Sequence, residues 1–390
     1  MTTRVLAVAD SDSYLKWAAA TLDGLGDGFV GRLVLVASPV LPSDAQVAAA
    51  VAGTALAPPS VRRVGGLVRR LRQDPPDVLL VACTGPTARV VLALAGRVRP
   101  RPVTVVGLPG WALPASAEAV GLRRGADLFV AHSRAEQAAF EPVAARLAPG
   151  MRVVLSRLPF LGPSASRPGA EAGPGGAPPV MRVVFAPQAL VPASRPERER
   201  LLDGLAALAP AGYDVVVKLR GRAAERQTHD ERWPFDELTA ARPGGVAGVR
   251  FETGPLASWL GPGAALVTVS STAALEALAA GVPVALLDDF GVRDELINTA
   301  FRGSGLLVGL RELPAVLAAG GPVAEPAWLE THGLHDAPSE LPEALRAALA
   351  TGRRAGATGP GAPGLRGPAD LRALARLLAP APVAQSVRRR

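Results

Sequence analysis

Short apolar runs alternate with helical stretches along most of this chain, and the whole rhythm occurs twice. Strands are expected near residues 4–9, 32–37, 77–83, 102–106, 127–131 and 152–155, with helices near 13–23, 64–74, 86–97 and 134–147. Strand–helix–strand repetition of this kind predicts a doubly wound sheet. The runs are rich in Val and Leu and show no polar alternation, the pattern of parallel strands covered on both faces. Residues 161–180 are crowded with Gly and Pro and read as a linker. The rhythm then restarts, with strands near 181–186, 213–218, 249–252, 265–269, 283–287 and 305–308, and a helix over Pro196–Leu208. The expected fold class is therefore α/β, with Rossmann-like domains over 1–160 and 181–340 and parallel sheets whose strand ends face a cleft between the domains. Residues 341–390 follow as C-terminal helices and a basic tail, with 352–367 of disordered composition and an amphipathic helix over 368–379.

Composition narrows the function. At 390 residues each domain can bury its own core, and with 49% hydrophobic but only 4% aromatic residues that core is built from Ala, Val and Leu. No apolar run reaches the roughly 18–20 residues needed to span a bilayer. The N-terminus carries no signal-peptide pattern, and a lone cysteine, Cys83, excludes an internal disulfide and is expected in the core. These features point to the cytoplasm. The net charge of +8 is concentrated in residues 341–390, where nine arginines stand against Glu343 and Asp370, a net +7. A nucleic-acid-binding fold would carry that excess on a folded face with aromatics to stack bases, so no nucleic-acid partner is expected. The tail, ending Arg388-Arg389-Arg390, could make peripheral contact with an anionic membrane or stay a solvated terminus. Only two lysines, Lys16 and Lys218, stand among 42 basic residues, and both fall where a site is expected.

Residues 265–284 carry the most chemistry. A buried strand, Ala265–Val269, runs into Ser270-Ser271-Thr272, then into a helix stopped by Gly281, with a second strand opening at Pro283. Ser or Thr before a helix can cap its N–H groups, and the same groups attract phosphate. Glu276 lies four residues beyond Thr272 and so faces back toward that helix mouth. Hydroxyls for phosphates and a carboxylate for a ribose diol suit a nucleotide; an ordinary capped helix is the alternative. The strand Asp214–Val217 delivers Lys218-Leu219-Arg220-Gly221, with His229 farther along a polar loop. Lys and Arg there could neutralise a nucleotide phosphate, or the loop could simply be solvated. Gln188, after the strand ending at Phe185, could reach the same ligand or be a turn residue.

The first strand ends in Asp10-Ser11-Asp12-Ser13-Tyr14-Leu15-Lys16-Trp17. Ser13 or Asp12 could cap a helix beginning near Tyr14, while the cluster also faces the expected ligand edge. Trp111, in the loop Gly107-Leu-Pro-Gly-Trp, could stack on a sugar or anchor the loop. Asp288 and Asp289 lack Asp-x-Asp spacing, and His332, His335 and Asp336 sit in what reads as a loop without cysteine, so no metal site is expected. His132-Ser133 precedes a helix and reads as a cap. Neither a P-loop nor a Gly-x-Gly-x-x-Gly after the first strand is present, which argues against a P-loop ATPase and a dinucleotide-dependent dehydrogenase; no cofactor is expected.

The string Glu276-Ala-Leu-Ala-Ala-Gly-Val-Pro-Val284 resembles the C-terminal-domain signature of GT-B glycosyltransferases, whose glutamate binds the donor ribose. Ser270-Ser271-Thr272 resembles the phosphate loop of CMP/CDP-donor sialyl-, polysialyl- and glycerophosphotransferases. Those enzymes carry a Lys-x-His-Pro motif where this chain has Lys218-Leu219-Arg220-Gly221; Lys matches, His does not, and His229 could substitute. Ser-Asp-Ser-Tyr-Leu-Lys-Trp, Lys-Leu-Arg-Gly and Phe290–Asn298 are similar to an uncharacterised family of bacterial glycosyltransferases. The resemblance implies transfer of a sugar or sugar-like group from a nucleotide donor to a glycan or lipid-linked acceptor, without a bound metal. It also implies a final helix that crosses back to the first domain. Donor binding would fall to Lys218, Arg220, Ser270, Ser271, Thr272, Glu276 and Gln188. Ser11, Ser13, Lys16 and Trp111 would meet the acceptor, and Asp12, with Asp10 behind it, would supply the base. A sugar-nucleotide 2-epimerase of the same architecture and a non-catalytic nucleotide-binding subunit are the competing readings.

Overall fold

The computed structural model describes residues 2–161, 179–219, 231–354, 365 and 367–378. The linker reading at 162–178, Arg220, His229 and the extreme tail lie outside the described residues. The chain divides into two compact units, one comprising Met1–Phe160 with Ala337–Arg390 and the other Leu161–Asp336.

The first unit runs β1 (Thr3–Ala9), α1 (Asp12–Asp23), β2 (Phe29–Val36), α2 (Asp44–Val51), β3 (Ser60–Arg62), α3 (Val64–Gln73) and β4 (Val78–Ala82). It continues through α4 (Gly85–Ala95), β5 (Val103–Gly107), α5 (Ala117–Arg123), β6 (Leu128–Ala131), α6 (Arg134–Leu147) and β7 (Arg152–Leu155). The seven strands form one parallel sheet in the order β3-β2-β1-β4-β5-β6-β7. Alternate residues of a strand point to opposite faces, so β1 feeds two cores. Val5, Ala7 and Ala9 join Leu15, Trp17 and Leu80 on one face, and Leu6 and Val8 join Leu79, Val81 and Phe129 on the other.

The second unit contains β8 (Arg182–Phe185), α7 (Arg195–Ala206), β9 (Asp214–Lys218), α8 (Phe235–Ala240), β10 (Val249–Glu252) and β11 (Ala264–Thr268). It ends with α9 (Ala273–Ala279), β12 (Val284–Leu287), β13 (Leu307–Val308), α10 (Leu313–Ala318) and α11 (Pro326–His332). Its six strands are all parallel, in the order β10-β9-β8-β11-β12-β13. Both sheets thus reverse their winding beside their own first strand, between β1 and β4 and between β8 and β11. This is the α/β fold of paired parallel sheets expected from the sequence.

The last two helices, α12 (Leu341–Arg354) and α13 (Pro368–Leu378), belong to the first unit. Leu341, Ala344 and Leu345 of α12 complete the core shared with Trp17, and Ala373 and Leu377 of α13 complete the opposite one. Arg89 on α4, 3% exposed, meets Asp370 of α13 at 3.3 Å and fixes that helix in place. Cys83 is buried, its thiol donating to the Val8 carbonyl at 3.2 Å. No helix among the described residues is long and apolar enough to cross a membrane.

Gly107 shows how tightly the edge of the first sheet is packed. A Cβ there would lie 2.5 Å from Cζ2 of the buried Trp17 indole. Gly107→Ala is expected to cost about 1–3 kcal/mol by overpacking. Urea titration of the variant checks this, and an unchanged midpoint would contradict it.

Candidate functional site at the carboxyl edges of the two sheets

In open α/β sheets, ligands settle beyond the carboxyl ends of the strands, where the winding reverses. In the second unit that point lies between β8 and β11. The chain leaves β8 through Ala186-Pro187-Gln188 and leaves β11 through Val269-Ser270-Ser271-Thr272. Ser270 Oγ donates to Gln188 Oε1 at 2.6 Å, and Gln188 Nε2 donates to the Ser270 carbonyl at 3.2 Å. Thr268 Oγ1 adds a bond to the Ala186 carbonyl at 2.8 Å. The two strand exits are therefore bridged reciprocally, and Ser270 is buried by doing so.

Beyond that bridge the tip opens. Ser271 and Thr272 are half-buried, and Ser271 Oγ accepts from the Ala273 N–H at 3.2 Å, turning the chain into α9. Thr272 is the N-cap residue by backbone position but supplies no side-chain cap. Every residue of α9 is buried except Glu276. Glu276 is thus the one polar side chain of an otherwise apolar helix, and it is half-buried. Gly281 adopts φ +71°, the left-handed conformation expected after the helix, and Val284 begins β12 directly after Pro283.

Lys218 ends β9 on the same edge. The register places Val217 opposite Phe185 and Phe185 opposite Val267, so Lys218 is level with Ala186 and Thr268. With strands about 4.8 Å apart, the lysine lies two strands, or about 10 Å, from the β11 exit. The structure thus gathers Lys218, Gln188, Ser270, Ser271, Thr272 and Glu276 along one edge of one sheet. Arg198 of α7 supports this edge from beneath, its guanidinium bonded to the carbonyls of Gln188 and Ala189 at 2.8 and 2.7 Å.

The first unit repeats the design with different chemistry. Where β1 meets β4, Asp10 accepts from Thr84 N–H at 2.9 Å and Thr84 Oγ1 at 2.5 Å. Asp10 is fully buried; burial raises its pKa, against the lowering effect of the Thr84 and Thr87 hydroxyls and the Arg123 charge. Both its oxygens are engaged, so it anchors the strand exit. The helix α1 begins two residues earlier than the sequence suggests, with Ser11 at the N-cap and no side-chain cap, so neither Asp12 nor Ser13 caps it. Asp12 occupies the first turn, and its Oδ2 takes Lys16 Nζ at 2.9 Å. Among the described residues, Asp12 Oδ1 and Ser11 Oγ are buried with no hydrogen-bonding partner. Ser13, Lys16 and Trp111 are half-buried at the same edge.

The remaining sequence candidates take structural places. Asp289 accepts from Leu310 N–H at 2.7 Å, and burial together with the Asp289 charge raises the Asp288 pKa. His332 closes α11 and stacks on Trp328 at 5.1 Å, where the sequence suggested loop. Ser133 caps α6 by accepting from Glu136 N–H at 3.0 Å.

Comparison with known proteins gives the family and the fold. Residues 5–348 match the family described as "Putative glycosyltransferase (DUF6716)". Among curated proteins, none matches the sequence. Of solved structures, that of MnaA from S. aureus with UDP superposes with a TM-score of 0.55 at 11% identity, covering 94% of this chain and 100% of that one. The UDP-GlcNAc 2-epimerase of Neisseria meningitidis, solved with UDP-GlcNAc, gives a TM-score of 0.51 at 13% identity, covering 90% and 100%. These likenesses show the GT-B fold.

Two buried groups do more than the sequence reading gives them: His132 reads there only with Ser133 as a cap, and Glu136 is not singled out. The ring of His132 accepts from Trp17 Nε1 at 2.9 Å through Nε2, which leaves Nδ1 to donate to the Ser156 carbonyl at 2.9 Å. Glu136, one turn into α6, accepts from the backbone N–H groups of His132, at 2.5 Å, and Ala112, tying the Trp111 loop to the helix. Burial pushes its carboxyl up to about 7 from 4.5, against the opposing pull of the amides of Ala112, His132 and Ser133. A carboxyl raised on folding binds more protons in the native state, so stability falls as pH rises from about 4.5 to 7. Relative to Glu136→Gln, the wild type is expected to lose on the order of 3 kcal/mol across that window. Parallel urea titrations of the two proteins check this; parallel pH profiles would refute it.

Proposed function

The chain belongs to this family of putative glycosyltransferases, and from that premise we propose that it transfers a sugar or sugar-like group from a nucleotide-activated donor to a hydroxyl of a glycan or lipid-linked acceptor. The observation that carries the reading is the polar edge of the second sheet. A lysine, two half-buried hydroxyls and the half-buried glutamate of an otherwise buried helix converge there. In this reading Ser271 and Thr272 bond the donor phosphate, Lys218 offsets its charge, and Glu276 accepts from the ribose diol. Ser270 and Gln188 hold the strand exits on which those groups stand. Arg220 and His229 belong to the same proposed donor side by sequence. The uridine nucleotides bound by the two structural neighbours make UDP-sugars the first donors to test, with CMP and CDP donors beside them.

The first sheet supplies the acceptor chemistry. Asp12 Oδ1 takes the proton of the acceptor hydroxyl while Lys16 holds Oδ2. The acceptor oxygen forms its bond to the anomeric carbon, the bond from that carbon to the donor phosphate oxygen breaks, and the electron pair leaves with the nucleotide. Asp10 fixes the strand exit behind the base, and Ser11, Ser13 and Trp111 contribute to the acceptor side. Charge neutralisation by Lys218 and hydroxyl donors, with no metal ion, supplies most of the leaving-group stabilisation. Membrane contact through the arginine-rich tail would bring the enzyme to a lipid-linked acceptor.

A thermal-shift panel of CMP, CDP, UDP, GDP and their sugars tests the donor assignment. A ligand at a hundredfold its Kd stabilises by about 2.7 kcal/mol, a rise of roughly 5–10 °C for a domain of this size. Lys218→Ala and Glu276→Gln are expected to abolish most of that rise; a full rise in both variants would reject the site. Asp12→Asn should keep the rise yet lower kcat by about 10²–10⁴-fold, as loss of a general base does. Transfer should persist in EDTA. Conversion of UDP-GlcNAc to its epimer without an acceptor would replace the transferase with a 2-epimerase, and nucleotide binding without hydrolysis or transfer would leave a non-catalytic subunit.

A further inference from the structure

Arg198 is 1% exposed, yet its guanidinium is fully engaged. Nε donates to the Pro192 carbonyl at 2.8 Å, and one terminal nitrogen to the carbonyls of Gln188 and Ala189 at 2.8 and 2.7 Å. The other terminal nitrogen donates to the Trp233 carbonyl at 2.8 Å and to the carboxylate of Glu231. Its plane covers the Phe235 ring, 4.9 Å from the centroid, and Phe235 packs edge-on against Phe185 of β8 at 5.4 Å. Five donors are thus shared between the segment leaving β8 and the segment entering α8. A lysine cannot reproduce this, because its ammonium is a compact point charge with three donors.

We infer that Arg198 is a positioning residue for the donor edge: it fixes the backbone of Gln188, whose amide in turn fixes Ser270 and the hydroxyl tip beyond it. The inference rests on the reading that this edge receives the donor. The connection is continuous on bonded atoms, from Arg198 Nη2 to the Gln188 carbonyl, through the Gln188 side chain to both the hydroxyl and carbonyl of Ser270, and along the chain to Ser271 and Thr272. A buried guanidinium needs a partner for each of its five N–H donors. Here the partners come from the segment leaving β8 and the segment entering α8, and four of them are backbone carbonyls, so the bonds that satisfy the buried charge also fix the path of both loops.

Amide hydrogen exchange in a double-mutant cycle tests this on the full chain. Arg198→Lys and Gln188→Met should each speed exchange of the Ala273–Leu275 amides by about tenfold, as expected when buried polar groups are left without their partners. Exchange in β12 should stay unchanged, which a general loosening would not allow. The double variant should exchange no faster than the faster single one, since both changes break one connection. Multiplying effects, or no change at Ala273–Leu275, would overturn the proposal. Should Arg198→Lys fail to fold, unchanged exchange in Gln188→Met alone would overturn it. UDP titration of the same proteins is expected to show affinity falling at least tenfold in each. A wild type that binds none of the nucleotides refutes the donor reading, while the exchange cycle still decides whether Arg198 organises the edge.

Discussion

Each sheet depends on one side-chain bridge where its winding reverses. Helices on either side of the reversal diverge, so the two strand exits cannot be held by the helices that follow them. In the first unit the bridge is Asp10 to Thr84, and in the second it is Gln188 to Ser270. The chemistry of the two bridges differs. A buried carboxylate spanning the first reversal makes that edge unfavourable for phosphate. The neutral amide–hydroxyl pair spanning the second adds no charge of its own beside the hydroxyl tip. A carboxylate in place of Gln188 would oppose any anion approaching Ser271 and Thr272.

Both bridges are backed by a buried arginine that bonds mainly to backbone carbonyls. Arg123 donates to the carbonyls of Cys83 and Ala119 and to the Tyr14 hydroxyl at 2.6 Å, and its charge works against the burial that raises the Asp10 pKa. Arg198 plays the corresponding part beneath Gln188. Removing one partner of a buried ion costs more than a surface pair ever contributes, because the remaining charge stays desolvated. These residues therefore constrain loop paths through what their loss would expose. In a chain with 40 arginines, two have been taken out of solvent to hold the strand exits.

The sequence made the repeating architecture legible because parallel strands buried on both faces leave uninterrupted Val/Leu runs; β4 and β11 are buried at every position. It hid α2, β3 and α5 in the first unit and α8, α10 and α11 in the second. Of these, β3 is three residues long with Val61 exposed, and α5 carries Gly121 in its middle, so neither pattern rises above the background. At the site, hydroxyls after β11 and the lysine that ends β9 were visible because polar groups stand out at the ends of apolar runs. The Gln188–Ser270 pairing was not, since the partners lie 82 residues apart. Arg198 was invisible for a stronger reason. Within Arg195-Pro-Glu-Arg-Glu-Arg it looks like one more solvated helix charge, and four of its five bonds go to carbonyls that any sequence would supply.

The two C-terminal helices make the first unit discontinuous in sequence, and this bears on how the chemistry is divided. Leu341 and Leu345 close the face that holds Trp17, the residue whose indole supports His132 and sets the space at Gly107. Ala373 and Leu377 close the other face, and Asp370 compensates a buried Arg89 that would otherwise stand uncompensated in the core. The first unit is therefore completed only by chain that follows the second unit in sequence. A fragment ending at residue 160 would lack packing on both faces of its sheet and keep an unpaired buried cation. The first unit's edge, with Asp12 and Lys16, is thus a property of the whole chain and not of its N-terminal half.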